Sequence, residues 1–369
     1  MSISGNKIRI LHITPWYPAA GDASNGAFIA QHIRALEPFC EQVILHVDVA
    51  MPGQKLTSSE DQNVLHLGKK VPLTSWRLVE WVFYRQLKKK LITMNAREHF
   101  THVNFHIAYP AMMYFDRLEK FLPRKKIITE HWSAYHFNFY TKKKPQRLAR
   151  IFHHGIPLIV VSRSLATDIH AFAGRKLNAH IIPNIVDSSV YHFRNEKPGN
   201  TFEMFALWKF PKEPLKVLEA IKELRDEGKL IQLRIGGYGP YWPAIETYVK
   251  ENRLQDRVRL YGSDTQVFAN GLSTARAFIM PSQYETFSVV TAEAFCSGCP
   301  VIADHVGALP ELLDDTNGVL RKPETPWKEV LQSFDDRRYN RKEISRHAIE
   351  KFSPEVVGKK YSEVLSQIE

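Results

Sequence analysis

Two glutamates separated by seven residues, Glu285 and Glu293, stand where the sequence concentrates its polar chemistry. They lie in the run Met280-Pro-Ser-Gln-Tyr-Glu-Thr-Phe-Ser-Val-Val-Thr-Ala-Glu-Ala-Phe-Cys-Ser-Gly-Cys-Pro300, which reads as the end of a buried strand, a polar loop and a helix. The strand, 275–280, is apolar and stopped by Pro281. The helix is predicted to begin near Thr286 to Ser288, where a hydroxyl would cap the free N–H groups of the first turn. It should end at Gly298, with Pro300 just beyond. Such an opening receives anions and hydroxyls, because its N–H groups point outward and the helix dipole favours negative charge there. Glu285 precedes these groups on the loop. Glu293 follows Val289 and Val290 by four and three positions, which sets its carboxylate on the apolar stripe, where a charge requires a partner. The plainer alternative has Glu285 complementing the dipole and Glu293 leaning to solvent.

Other segments carry groups of the same kind. His131, in Thr129-Glu-His-Trp-Ser-Ala-Tyr135, directly follows a predicted strand, at the edge where an α/β domain keeps its site. An imidazole with a pKa of about 6.5 can donate to a hydroxyl or a developing charge without being a permanent cation. Trp132 and Tyr135 beside it either shape an acceptor side or belong to the core. Lys209 and Lys212 stand three apart in a loop after the predicted strand 202–207. Gly237 lies in a strand that ends in glycines, 232–240, either because backbone approaches a ligand or as turn chemistry. Gly26 ends the loop that joins the first strand, 7–13, to a helix over 27–36. Cys296 and Cys299 spell C-x-x-C, but no second pair or His pair follows, so they read as packing residues.

The elements that must position these groups alternate as strand and helix, which predicts parallel sheets. Strands are expected at 42–49, 102–107, 126–130, 158–162 and 180–183, then at 202–207, 232–240, 259–262, 275–280 and 300–305. The chain of 369 residues exceeds one core, so two domains are expected: 1–184, 185–351, and a terminal helix over 352–369. No apolar run is long enough to span a bilayer and Met1 to Arg9 lacks a signal-peptide pattern, so the expected location is the cytoplasm. The net charge of +11 is uneven: residues 1–184 carry +13 and residues 185–369 carry −2. A basic half suits an anionic partner. Trp76 to Lys90 mixes aromatics with Arg77, Arg85, Lys88, Lys89 and Lys90, and Lys142 to Arg150 is a second basic cluster. For the first segment two readings stay open, a helix in a membrane interface or a solvated face with a buried side.

Glu285 and Glu293, with Phe287 and Ala294 beside them and Gly298-Cys-Pro-Val-Ile302 and Gly307-Ala-Leu-Pro-Glu311 after them, resemble the C-terminal half of the retaining glycosyltransferases of family 4. Val160-Val-Ser-Arg-Ser-Leu165 and Ile182-Pro-Asn-Ile-Val-Asp187 are similar to that family's strand-helix start and domain junction. The resemblance implies the GT-B fold, two Rossmann-like doubly wound parallel-sheet domains with a cleft between them, and a hexosyltransferase of cell-surface polysaccharide or glycoconjugate synthesis. It implies that Glu285 and the N–H groups after Phe287, at Ser288 and Val289, hold the donor sugar, and that Glu293 holds the ribose. Lys209 and Lys212 would grip the diphosphate, with Lys212, Glu285 and His131 nearest the reaction, and Gly26 and Gly237 would let backbone approach the ligand. The implied donor is a nucleotide sugar, UDP-linked rather than GDP-linked, and the acceptor a glycan or lipid-linked molecule. No Asp-x-Asp motif is present, so no metal is expected. An anionic membrane surface, reached from the inner face of the cell membrane, is the further expected partner. Two departures stand out: Ser288 replaces the family's usual Gly, and a lysine replaces its usual Arg. A dinucleotide-dependent oxidoreductase would want G-x-G-x-x-G, which is missing. A nucleic-acid-binding role has only charge behind it, and no nucleic acid is expected.

Overall fold

In the computed structural model, residues 8–18, 24–56, 64–140 and 146–368 are described. Lys142, Lys143 and Lys144 of the second basic cluster, and part of the loop before Gly26, lie outside them. The chain divides into two compact units, Met1–Asn184 with Pro354–Glu369, and Ile185–Ser353.

In the first unit the described strands are β1 (Arg9–Thr14), β2 (Glu41–Ala50), β3 (Val64–Lys70), β4 (His102–His106), β5 (Lys125–Glu130), β6 (Leu158–Val160) and β7 (Ala179–Ile181). They form one parallel sheet in the order β3-β2-β1-β4-β5-β6-β7. In the second unit, β8 (Thr201–Leu207), β9 (Gln232–Tyr238), β10 (Val258–Gly262), β11 (Phe278–Met280), β12 (Val301–Asp304) and β13 (Gly318–Arg321) are ordered β10-β9-β8-β11-β12-β13. All are parallel. Chain direction across each sheet reverses once, between β1 and β4 and between β8 and β11. Connections on either side of such a switch point leave toward opposite faces, which opens a crevice at the carboxyl ends of those two strands.

The expected strands are present within a few residues. Two edge strands, β3 and β13, are additional. An edge strand is covered less than a central one, so it needs no continuous apolar run. Val64-Leu-His-Leu-Gly-Lys-Lys70 duly ends in three exposed residues.

Helix 76–93 shows why its sequence carried two signals. Val79, Phe83, Leu87 and Leu91 recur at helical spacing and are buried, together with Glu80, which accepts a 2.6 Å bond from Arg147. Arg77, Trp81, Arg85 and Lys89 lie on the opposite, exposed face. The segment therefore has a buried side and an outward basic-aromatic side. Among the described residues no helix is long and apolar enough to cross a membrane.

The terminal helix, Pro354–Gln367, completes the first unit through polar contacts. The buried Tyr361 hydroxyl accepts from Asn104 Nδ2 at 2.7 Å and lies 2.6 Å from Thr129 Oγ1, while His102 Nε2 reaches Leu365 O at 3.2 Å. These bonds satisfy polar side chains of β4 and β5 that would otherwise be stranded in the interior.

The two units bury opposite kinds of titratable group. Burial lowers His12, His32, His46 and His102 from 6.5 to about 4, and holds His106 and His131 well below 6.5. All six are in the first unit, where Glu130, pushed up to about 7 by burial, opposes them. In the second unit burial raises Glu203 to about 7 and Glu293 to about 8. A lowered histidine contributes stability that is present above 6.5 and lost as pH falls toward 4. A raised carboxyl contributes stability that is present below 4.5 and lost as pH rises through 7 to 8. Acidification from pH 7 to pH 5 should therefore weaken the first unit and not the second. Hydrogen exchange at β4 and β5 compared with β8 and β11 measures this, and an equal response of the two pairs would contradict it.

Candidate functional site

The second unit builds its site at its switch point. Because β8 lies next to β11, the loops that follow them run side by side. Glu213 N donates to Pro281 O at 3.0 Å and Gln283 N to Pro211 O at 2.9 Å, with Lys212 and Ser282 paired in antiparallel register between these bonds. This short ladder carries Lys212 to Glu285. The Lys212 ammonium donates to Glu285 Oε1, and Ser282 Oγ donates to the same oxygen at 2.8 Å. Ser282 N donates in turn to Asp304 Oδ2 at 2.9 Å, and Arg321 holds the other oxygen of Asp304. Ala308 N donates to the carbonyl of Glu285 at 2.9 Å, so the 307–311 segment braces the same loop. Lys209, by contrast, is exposed, and its ammonium has no ion-pair partner among the described residues. The two lysines thus differ in kind: one is half-buried against Glu285 and the other stands in solvent.

Helix 289–296 begins as expected but without the expected cap. Ser288 is the cap residue, yet its backbone is left-handed (φ 76°, ψ 81°) and its hydroxyl lies 2.9 Å from Thr291 Oγ1 rather than on a backbone N–H. A left-handed turn is what glycine adopts without strain, which accounts physically for the glycine usual at this position in the family that the sequence resembles. The first-turn N–H groups keep no intrahelical partner. Phe287 is buried, and its ring meets Phe352 edge-on at 5.5 Å, so its side chain is core and only its backbone is free to serve the site.

Glu293 is half-buried on this helix. Its partner is not a cation: the Tyr191 hydroxyl hydrogen-bonds its carboxyl, and burial pushes that carboxyl up to about 8. Gly237 has φ 113°, and a Cβ there would sit 2.0 Å from Ala206 O and 2.9 Å from the Trp208 indole nitrogen. The position is glycine because its φ is positive and the Ala206 carbonyl leaves no room for a side chain, with Trp208, buried and bonded to Gly236 O at 2.8 Å, closing the space further. Cys296 and Cys299 are buried, and burial raises their thiols to about 12 and about 11, which makes both poor thiolates.

In the first unit, Gly26 is left-handed (φ 68°) at the start of helix 27–35, where a Cβ would strike Trp16 O at 2.6 Å. His131 is buried, its ring 4.6 Å from that of Phe28 and 5.2 Å from that of His32. Its Nδ1 faces Asn184 Oδ1 at 3.1 Å and so carries the proton, leaving Nε2 buried and unpartnered. A neutral imidazole of this tautomer has its lone pair on Nε2, the chemistry of an acceptor where a donor was expected. Tyr135 belongs to the core, donating to Glu130 Oε1 at 2.5 Å, whereas Trp132 is half-buried. Glu130 Oε1 also accepts from Ala108 N at 2.7 Å. Tyr191, Ser282, Asp304 and Glu130 were not singled out by sequence reasoning. Only Tyr191 had a signal, four residues after Asp187 of the junction motif.

Residues 206–333 match the family model for glycosyl transferases group 1. A curated relative, the MMP alpha-(1->4)-mannosyltransferase of Mycolicibacterium hassiacum, is 30% identical over 42% of this chain and 38% of its own length. The matches span about a third of the length of the curated relatives. Among solved structures, the lipopolysaccharide outer core galactosyltransferase WaaB is 18% identical with a TM-score of 0.73, over 98% of this chain and 100% of that one. HepE of Anabaena, in complex with UDP and glucose, is 14% identical with a TM-score of 0.73, over 97% and 99%. With two parallel-sheet α/β units and these likenesses, the chain has the GT-B fold.

Removing one member of a buried ion pair strands the other. Lys212→Met should destabilise the second unit by about 3 kcal/mol, and Glu285→Gln added to it should recover part of that loss. Lys209→Ala should stay within about 0.5 kcal/mol of the parent. Urea unfolding of the three variants checks this, and a Lys212→Met variant as stable as the parent would refute the buried pair.

Proposed function

We propose that this protein is a metal-independent, retaining hexosyltransferase of family 4 that transfers a sugar from UDP to a glycan or lipid-linked acceptor in cell-surface polysaccharide or glycoconjugate synthesis. The observation that carries this reading is the Lys212–Glu285–Ser282 arrangement beside the open start of helix 289–296. A carboxylate next to free N–H groups receives sugar hydroxyls and phosphate oxygens in one place. Lys212, freed from Glu285 by an arriving diphosphate, and the exposed Lys209 neutralise the leaving group, which is the electrostatic task a divalent ion performs in other transferases. Glu293, one helical turn into the helix, receives the ribose diol. The acceptor oxygen attacks from the side the diphosphate leaves, and the leaving phosphate takes its proton. His131 Nε2 accepts from a sugar hydroxyl. HepE, solved with UDP and glucose, supports a UDP-linked donor, and WaaB, named as a lipopolysaccharide galactosyltransferase, supports a glycoconjugate acceptor. The two compact units support domains at 1–184 and 185–351 with a terminal helix over 352–369, and the donor is assigned to the second.

UDP titration with and without EDTA tests the donor assignment. A ribose diol binds best to an ionised carboxylate, and burial pushes the Glu293 carboxyl up to about 8. Affinity for UDP should therefore rise between pH 7 and pH 8.5, and Glu293→Gln should bind UDP more weakly with no such rise. Glu285→Ala should leave UDP affinity nearly intact and slow transfer. A Glu293→Gln variant that binds like the parent removes the ribose assignment, and loss of binding in EDTA removes metal independence.

The outward face of helix 76–93, with Arg85 stacked 4.8 Å over the Trp81 ring, supports attachment to an anionic membrane on the cytoplasmic side. Co-sedimentation with vesicles of rising phosphatidylglycerol content should capture the protein at low salt. Attraction of this kind is screened beyond about 8 Å at physiological salt, so release should follow as salt is added. Trp81→Ala with Arg85→Ala should abolish capture, and a parent protein that stays in solution at low salt excludes the membrane.

A further inference from the structure

We propose that Trp16, Tyr109 and Trp132 form a carbohydrate subsite that holds a pyranose ring of the acceptor by its apolar face. The inference rests on the glycosyltransferase reading and names the chemistry of the acceptor group.

Three loops bring the rings together. Trp16 follows β1 by two residues, Tyr109 follows β4 by three and Trp132 follows β5 by two, and these strands are neighbours across the first unit's switch point. Trp16 and Trp132 meet nearly at right angles with centroids 5.2 Å apart, and Tyr109 lies 6.5 Å from Trp132. Phe139 closes the group, 5.1 Å from Trp132 and 6.0 Å from Tyr109. All four rings are half-buried, so each keeps part of its surface open. Trp16, Phe28 and Trp132 pack on one cluster that includes Tyr17, Ile29, Ile33 and Ile107, which makes the platform rigid.

A polar group with an open valence accompanies this apolar surface. His131 Nε2, on a ring in contact with Phe28, is buried and unpartnered, whereas the Glu130 carboxyl before it is held by the Tyr135 hydroxyl and by the backbone N–H groups of Ala108, His131 and Trp132. A sugar asks for such a mixture, since its C–H face packs on aromatic rings while its hydroxyls need a few placed acceptors. A lipid chain would leave the His131 acceptor unsatisfied. The exposed Trp76 and Trp81 suit lipid better.

Backbone geometry adds an independent sign. Asn138, Phe139 and Tyr140 are three successive non-glycine residues with φ of 46°, 55° and 58°. Each is costly for an L residue, and such runs persist where surrounding structure enforces them, often at ligand clamps. Here the run sets Phe139 against Trp132, Tyr135 and Phe172.

Saturation-transfer NMR on the full chain tests the subsite, with the methyl α-pyranosides of glucose, galactose and mannose as probes and sorbitol as an open-chain control. At least one pyranoside, and not sorbitol, should receive saturation on the C–H protons of one ring face. Trp132→Ala and Trp16→Ala should each weaken that binding about fivefold to tenfold, and Trp132→Phe should retain most of it. UDP titration of the same samples reports both folding and the donor site, and should be unchanged. If Trp132→Ala loses UDP binding as well, Trp16→Ala and Tyr109→Leu decide. The subsite is overturned if no pyranoside binds, if sorbitol binds equally, or if variants with intact UDP affinity bind pyranosides like the parent. It is also overturned if these variants lose only phosphatidylglycerol vesicle binding, which would assign the rings to lipid. Pyranoside binding that depends on Trp132 in a protein that never binds UDP would sink the donor reading and leave the subsite standing.

Discussion

The ladder between the loops after β8 and β11 is the constraint on which the candidate site depends. Two backbone bonds, Glu213 to Pro281 and Gln283 to Pro211, fix Lys212 opposite Ser282. From there the lysine can reach only inward, to Glu285. Taking a carboxylate out of water is expensive, and the pair is tolerable because Ser282 and Lys212 both donate to the same oxygen. Asp304, fixed by Arg321, anchors Ser282 from beneath through its backbone N–H. The links are short, and those of Ser282 to Glu285 and Asp304 are buried, so the charged groups are placed before any ligand arrives. An electrostatic site gains from charge already held beside the reacting groups, here a lysine that an arriving diphosphate would take over from Glu285.

Both sheets carry polar side chains on strands that are otherwise apolar, and each pairs most of them in a side-chain network, although His106 Nδ1 in the first unit keeps no partner. In the first unit, His12 Nδ1 meets His106 Nε2 at 3.0 Å, Asn104 reaches the same nitrogen, and Thr129 donates to Asn104, with the terminal helix supplying Tyr361. In the second, Glu203 on β8 is fully buried and receives Arg234 at 2.7 Å and the Tyr261 hydroxyl at 2.6 Å. Such networks specify a unique arrangement, because a shift by one residue would leave several groups unsatisfied together. They also tie the end of the chain to the first unit by hydrogen bonding as well as by apolar contact.

Burial decides which charged forms these groups hold. Burial favours the neutral form of His12, His32, His46, His102, His106 and His131, and His131, with its proton directed at Asn184, is left as an acceptor. Glu293 is pushed toward its neutral form by the same loss of solvent, and the partner that its place on the apolar stripe called for is a tyrosine hydroxyl. One cause, removal from water, thus acts with opposite sign on the charge of bases and acids.

The sequence by itself determined the alternation of strands and helices, the parallel sheets and the placement of Glu285 on a loop before a helix. These follow from local periodicity and from Pro281, Gly298 and Pro300, which punctuate the chain whatever surrounds them. It did not reveal β3 and β13, because edge strands lack the apolar runs of central ones. Only the tertiary structure decided which lysine meets Glu285, since that pairing depends on the adjacency of β8 and β11, strands separated by two others in the chain. The same holds for Tyr191 against Glu293, for the left-handed turn at Ser288 and for the tautomer of His131. The Tyr191 and His131 contacts arise from groups distant in sequence, and the turn at Ser288 is a backbone conformation that a serine does not announce.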